Sequence, residues 1–386
     1  MIAQLNIPSV VIVGAGASQE AGAQAKRLRA RHALVVTDTH MVASGLAGQI
    51  TGSLDKAGIG ATVFSEVQPD PTDKNVLDGL NILKQSKADV VVALGGGSPT
   101  DAAKVIAVLA NNDPPLSQYA GLHKIPNPGL PVMVIPTTAG TGSEVTKVAV
   151  ITDTSQDVKM MMLDVNLLPT VALVDYELTL TMPPSLTANV GVDTLVHAVE
   201  AYVSKKASPL TDPLARSSIR LVAENLYTAY KEPNHATARE AMMLASCQGG
   251  MAFANSSVCL VHGMSRPIGA LYHLPHGLSN AVLFPAVTEF SVSGSSERYA
   301  TVARLMGLAS EKDSPEAACA ALVKGLQELN DKLDIPRLGE CVKVDLADFD
   351  GKVEKMAHDA LASGSPNNNP VVPDVQQIIE LYHKAW

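Results

Sequence analysis

Short runs that are apolar throughout, each followed by a helical stretch, fill the first part of the chain and restrict the folds open to it. HALVVTD (32–38), ATVFSEV (61–67), ADVVVALGGG (88–97), PVMVIPTT (131–138) and TVALVDYEL (170–178) have strand length and β-branched content. A strand with one face in water alternates apolar and polar residues; these do not, so they belong to a sheet covered on both faces. Helical segments between them, such as PTDAAKVIAVLAN, supply the covers and make the sheet parallel. After Met182-Pro183-Pro184 the texture changes. From Ser185 almost to Trp386 apolar residues recur every three or four positions, as in RSSIRLVAENLYTAY and AREAMMLASCQGGMAF. A length of 386 residues also exceeds what one core usually serves. The expected architecture is an α/β domain with a parallel sheet over residues 1–182 and an all-helical domain over residues 183–386. SGSPNNNPVVP (363–373) reads as a polar connection, and no internal repeat is present.

Composition narrows the class. With 46% hydrophobic and 17% charged residues the chain can fill compact cores, and a net charge of −9 provides no electrostatic footing for nucleic acid or an anionic membrane. The four cysteines (Cys247, Cys259, Cys319, Cys341) show no C-x-x-C spacing and read as reduced thiols. The N-terminal stretch MIAQLNIPSVVIVGAG lacks a basic region and a cleavage site, and no apolar run approaches the roughly 20 residues of a membrane span. A cytoplasmic protein without nucleic-acid or membrane partners is expected.

Asp193 and His197, in GVDTLVHAVEAY, lie four apart and hence one turn apart on one helix face. Taken alone, a D-x-x-x-H pair among ten histidines is an ordinary polar pair. A second pair changes the balance. His262 and His276 sit in VHGMSRPIGALYHLPHG, whose apolar, Gly- and Pro-broken surroundings do not resemble a solvated face; His262 opens a helix and His276 follows Pro275 in a loop. One carboxylate and three imidazoles suit Fe(II) or Zn(II) and suit calcium badly. A mononuclear catalytic metal site formed by Asp193, His197, His262 and His276 is expected.

Two glycine-rich turns compete for a nucleotide. VVIVGAGASQEAG (10–22) offers Gly14 and Gly16 after a strand, but Gln19 occupies the third fingerprint position, where Gly or Ala is needed. Gly95-Gly96-Gly97-Ser98 is the stronger site. It follows a buried strand and runs into a helix, with Ser98 read as N-cap, Pro99 as the first helical residue and Asp101 three after the cap. Glycines let a pyrophosphate approach the free N–H groups and positive dipole of the helix start. Residues 136–144 add the hydroxyls of Thr137, Thr138, Thr141 and Ser143 at another strand end, where open parallel sheets bind ligands. Asp38 closes HALVVTD. At a strand end it can accept the ribose hydroxyls and repel a 2′-phosphate, favouring NAD(H) over NADP(H), or it can simply cap a turn.

Through VTD (36–38), GGGSPTDAAK (95–104), IPTTAGTGSEVT (135–146), ELTLTMPPSLTANVGVDTLVHAVEAY (177–202), VHGMSRPIGALYHLPHG (261–277) and the final LYHKAW, the chain resembles the iron-dependent (group III) alcohol dehydrogenases. The resemblance covers nearly the whole chain. It implies a dehydroquinate synthase-like fold, with a dinucleotide-binding N-terminal domain, a helical C-terminal domain and a metal in the cleft between them. It implies that the four residues above hold the ion and that NAD(P) lies across Gly95 to Ser98, Thr137 and Thr138, with Lys159 near the cofactor ribose. It further implies a homodimer or higher homo-oligomer that passes hydride between nicotinamide and a small primary alcohol or aldehyde.

Two departures stand out. Where the family commonly has a second His four residues after the third ligand, this chain has Arg266, and where Asn is frequent it has Asp70. His273 is then a candidate proton relay. Arg266 is either a handle for a carboxylate, phosphonate or sulfonate on the substrate, or a partner for a carboxylate of another element. Rival readings are a zinc-using or metal-free relative and a nucleotide-binding protein that has lost catalysis.

Overall fold

The computed structural model describes residues 2–156 and 158–386. They form two compact units: Asn6–Leu180, and Thr181–Trp386 joined by the chain's first residues as far as Leu5.

The first unit contains strands β1 (Val10–Val13), β2 (His32–Val36), β3 (Gly60–Phe64), β4 (Val90–Gly95), β5 (Gly121–Leu122), β6 (Val132–Pro136), β7 (Val148–Asp153), β8 (Val158–Leu163) and β9 (Val171–Val174). Its helices are α1 (Ala21–Arg27), α2 (Thr39–Ala43), α3 (Leu46–Lys56), α4 (Asp73–Ser86) and α5 (Gly97–Leu109). A six-stranded sheet runs in the order β1-β9-β6-β4-β2-β3, and its pairings are parallel. Successive residues of each strand feed opposite cores. Leu34, Val36, Val91, Ala93 and Val134 pack with the residues of α4 and α5. Ala33, Val35, Val90, Val92, Leu94, Met133 and Ile135 pack with those of α1 and α3. Both pleat faces are dry, which is why these runs show no polar alternation.

Strand order creates a crevice. From β2 the chain goes outward to β3, then returns past β2 to β4 and steps through β6 to β9 on the other side. The direction reverses between β2 and β4, so their carboxyl ends open a gap that helices do not fill.

The parallel sheet alone is not the whole of this unit. β7 and β8 pair antiparallel and β5 joins β8, making a three-stranded sheet that the sequence reading did not anticipate. β7 buries only alternate residues, Ala149 and Ile151 among them, and β8 carries Lys159 outward. Its half-polar pattern lacks the continuous apolar signal that marked the main sheet.

The second unit is helical: α6 (Pro184–Val203), α7 (Asp212–Lys231), α8 (Ala236–Asn255), α9 (Leu260–Tyr272), α10 (His276–Ser291), α11 (Ser296–Leu305), α12 (Pro315–Lys332), α13 (Leu338–Cys341), α14 (Leu346–Ala362) and α15 (Val375–Ala385). α6 starts on Pro184, whose fixed φ suits a first helical position. From Gly191 to Val203 its residues are buried all round, so it forms the axis of the unit against α7, α8 and α10. Arg239 of α8, itself buried, donates to Thr187 Oγ1 and the Met182 carbonyl and fastens the start of α6. Among the described residues no helix is long and apolar enough to cross a membrane.

Candidate functional site

Buried α6 brings Asp193, His197 and Glu200 to one side, at intervals of four and three residues. α9 adds His262 from its first turn, and α10 adds His276 and Asn280. His276 is the first residue of α10, with Pro275 as its N-cap, and not a loop residue. One close approach makes this possible: a Cβ on Gly277 would stand 2.7 Å from the Asn189 carbonyl of α6, so only glycine lets α10 start there.

One ligand atom from each of Asp193, His197, His262 and His276 lies within 4.8 Å of the others. Asp193 Oδ1 is 3.7 Å from His262 Nε2 and 3.9 Å from His276 Nε2. The three imidazoles follow one another, with ring centroids 4.5 Å apart for His197 and His262 and 5.3 Å for His262 and His276; Phe253 stacks on His197. Asp193, His197 and His262 are buried, whereas the His276 side chain is 51% exposed. Burial pushes His262 well below the usual histidine range, helped by the neighbouring His197, and His276 shifts the same way. The His262 and His276 imidazoles therefore favour the neutral form, with lone pairs available to a cation.

The Asn280 amide tests the fit to a metal. Its Nδ2 lies 2.6 Å from Asp193 Oδ1, 3.2 Å from His262 Nε2 and 3.1 Å from His276 Nε2, while its buried Oδ1 has no hydrogen-bond partner among the described residues. An amide has two hydrogens and cannot serve three acceptors. The cluster holds more converging lone pairs than protein protons satisfy, and a divalent first-row ion suits that donor set.

Glu200 was not picked out by sequence reading, although it falls three residues after His197 on the same face. Its carboxylate accepts from His262 Nδ1 at 2.7 Å, from Cys259 N at 2.8 Å and from Val261 N at 2.7 Å. Burial raises its pKa to about 7, against the pull of those donors. A proton held on His262 Nδ1 leaves Nε2 as the free lone pair facing Asp193.

The other predicted residues gather at the carboxyl ends of β2, β4 and β6. Asp38 caps α2 through Oδ1, which accepts from Met41 N at 2.9 Å, while Oδ2 lies 3.6 Å from where a Gly95 Cβ would be. The capping reading of Asp38 therefore holds through Oδ1, while Oδ2 faces the Gly95 turn. Gly95 has φ +140° and would drive a Cβ into Pro99 at 2.8 Å, so the strand-to-helix turn demands glycine. Beside Gly96 and Gly97 stand Thr138 and Thr141, 3.4 and 3.2 Å from the places their Cβ atoms would take. Thr137 N donates to the Gly95 carbonyl and ties the two strand ends together.

The cap differs from expectation. Gly96, not Ser98, is the N-cap of α5, and Ser98 and Pro99 are its second and third residues. The extended backbone of Gly96 turns the chain early, leaving the N–H groups of Gly97 and Ser98 without intrahelical acceptors. Asp101 does not close a capping box. Its carboxylate accepts from Ser143 Oγ at 2.8 Å and Val150 N at 2.9 Å, and buried Lys104 donates to Ser143 Oγ and Thr146 Oγ1. Asp101 and Ser143 therefore brace the turn from behind. Burial lowers Lys104 to about 8 and raises its neighbour Glu144 to about 7.

Of the remaining candidates, Lys159 and His273 stand on the surface and Arg266 lies one turn from His262. Lys159 Nζ pairs with Asp70 Oδ1 at 2.7 Å on the surface, so the lysine expected near the ribose is engaged by one of the two family departures. His273 is the exposed, left-handed C-cap of α9, and its ring makes no hydrogen bond or ring contact among the described residues. Arg266 follows His262 by one turn and donates to Ser365 Oγ at 3.1 Å; among the described residues it has no carboxylate partner. The alternative fingerprint at Gly14 and Gly16 sits on edge strand β1 and is filled from within. Asp175 accepts from Gly16 N, Ser18 N and Ser18 Oγ, closing that turn to a phosphate.

Comparison with known proteins agrees with this construction. Residues 8–176 match the family model described as iron-containing alcohol dehydrogenase, and residues 187–386 match the C-terminal model of the same family. The chain is 38% identical over 379 residues to the NAD-dependent methanol dehydrogenase of Bacillus methanolicus, covering 98% of each. It is 36% identical over 375 residues to the lactaldehyde reductase of Escherichia coli (strain K12), covering 97% of each. A solved structure of 1,3-propanediol oxidoreductase superposes with a TM-score of 0.97 at 36% identity, covering 100% of both chains. The chain belongs to the iron-containing alcohol dehydrogenase family.

Proposed function

We propose that this chain is an NAD(H)-linked, metal-dependent alcohol dehydrogenase or aldehyde reductase for small primary alcohols and aldehydes. The observation that carries this reading is the convergence of one carboxylate and three imidazoles. Asp193, His197, His262 and His276 would hold Fe(II) or Zn(II). Asp38, Gly95, Gly96, Gly97, Ser98, Thr137, Thr138 and Thr141 would hold the dinucleotide, with Asp101 and Ser143 supporting their loops and Lys159 near the ribose once released from Asp70. When bound, the ion supplies Lewis acidity toward the substrate oxygen, and the nicotinamide supplies or takes up hydride.

The protein's own groups prepare that chemistry. Asp193 brings negative charge to the cluster, and Glu200 fixes the tautomer of His262. The start of α5 offers unpaired N–H groups and a positive dipole end to a pyrophosphate. The free oxygen of Asp38 accepts ribose hydroxyls and repels a 2′-phosphate. The intact ligand set argues against a chain that has lost catalysis. By family analogy the enzyme works as a homodimer or larger homo-oligomer in the cytoplasm, with its cysteines as free thiols.

The test is NADH oxidation by protein stripped with a chelator and reconstituted anaerobically with Fe(II) or Zn(II), assayed with short aldehydes. Turnover should vanish on stripping and return with one of the two ions. Full activity after exhaustive chelation would overturn the metal-dependent reading.

A further inference from the structure

Among the described residues, Arg266 is the charged group beside the metal cluster that the mechanism above leaves unused. It lies on α9, one turn after His262 and on the same face. Protein atoms use little of its donor capacity: Nη1 donates to Ser365 Oγ, and the guanidinium makes no other hydrogen bond among the described residues. The acid whose field it feels is Glu200, but the Glu200 oxygens are already taken by Cys259 N, Val261 N and His262 Nδ1.

Charge balance then selects a substrate. With a divalent ion in place, the charges of Asp193 and ionised Glu200 cancel that of the ion, the three imidazoles are neutral, and the guanidinium charge is left over. Protonating Glu200 would only add to the excess. An unpaired charge in a largely buried site is unfavourable, and a ligand that brings the opposite charge relieves it. A guanidinium also presents paired N–H groups that match planar or tetrahedral oxyanions.

We propose that Arg266 is a specificity-determining residue that receives the terminal anionic group, a carboxylate or sulfonate, of a short aldehyde or alcohol whose reacting oxygen lies at the four-ligand cluster. The inference rests on the oxidoreductase reading above and narrows its substrate class.

The experiment compares kcat/KM for succinate semialdehyde, sulfoacetaldehyde and butanal on the Fe(II)-reconstituted enzyme, for wild type, Arg266→Lys and Arg266→Gln. A parallel calorimetric titration of the same proteins with 4-hydroxybutyrate and with 1-butanol reads binding without turnover. Wild type should favour at least one anionic aldehyde over butanal by about tenfold or more, the carboxylate and sulfonate arms showing which oxyanion fits. In Arg266→Gln that ratio should fall by about 30-fold or more, mainly through KM, with Arg266→Lys intermediate. A wild-type preference for butanal, or a ratio unchanged in Arg266→Gln, would overturn the proposal while leaving the oxidoreductase reading intact. Were wild type inert toward all three aldehydes, that broader reading would fall. The titration would then decide on Arg266: binding of 4-hydroxybutyrate lost in Arg266→Gln supports its role, and equal binding rejects it.

Discussion

Glu200 shows how one side chain can govern a site it does not enter. Three N–H groups, two from the backbone at the start of α9 and one from His262, converge on its carboxylate. It therefore positions the helix end and the ring together. A glutamine there retains one acceptor oxygen but turns an NH2 group toward donors. Glu200→Gln should weaken Zn(II) binding by about 10–100-fold in a competitive chelator titration; unchanged affinity would reduce Glu200 to a packing residue. Asp38 divides its oxygens between a helix cap and the Gly95 turn. Asp38→Gly should raise kcat/KM for NADPH relative to NADH, and loss of the cap should lower stability by roughly 1 kcal/mol. Unaltered cofactor selectivity would take Asp38 out of the nucleotide site. The contrast between the two residues is instructive. Asp38 ends an apolar run and is conspicuous in sequence, whereas Glu200 hides within a buried helix beside Asp193 and His197, which draw the eye first.

Among elements, the approach of α10 to α6 matters most to the metal cluster. Gly277→Ala would place a methyl group 2.7 Å from the Asn189 carbonyl, a backbone atom that cannot rotate away. α10 would have to shift, carrying His276 and Asn280 away from Asp193. Stability should drop by about 1–3 kcal/mol, and Zn(II) affinity should fall with it. Gly351→Ala, at an exposed position of α14 with nothing within 4 Å of its Cβ position, is the matched control. That change should stabilise the protein by up to about 1 kcal/mol and leave metal affinity alone. Thermal unfolding and chelator competition on both variants check the pair, and equal metal affinity in Gly277→Ala and wild type would contradict the account. Elements were legible to different degrees for a physical reason. The strands buried on both faces announced themselves as unbroken apolar runs. The β7–β8 hairpin, half wet, did not.

For the molecule as a whole, the buried Lys104, Asp101 and Glu144 cluster links stability to pH. Glu144 is held at about 7 in the folded protein against an ordinary 4.5, because burial disfavours its charge. Between those values the folded chain keeps a proton that the unfolded chain has released. Wild type should therefore lose stability as pH rises through that window, by up to about 3 kcal/mol. Glu144→Gln keeps the neutral shape and removes that residue's share of the dependence, so its Tm advantage should widen from pH 5 to pH 7. A constant Tm difference would show that Glu144 is ionised in the native state. Periodicity and motif order by themselves determined the class of each half, the family, the four residues that the fold brings together and the glycine-rich turn beside Asp38, because these depend on local pattern or on long contiguous motifs. Which glycine caps α5, where Asp101 points, what holds His262 in its tautomer and whether Arg266 meets a carboxylate were decided only by the tertiary structure. Each depends on a partner tens of residues away, and nothing in the local chain encodes which of several polar neighbours will arrive.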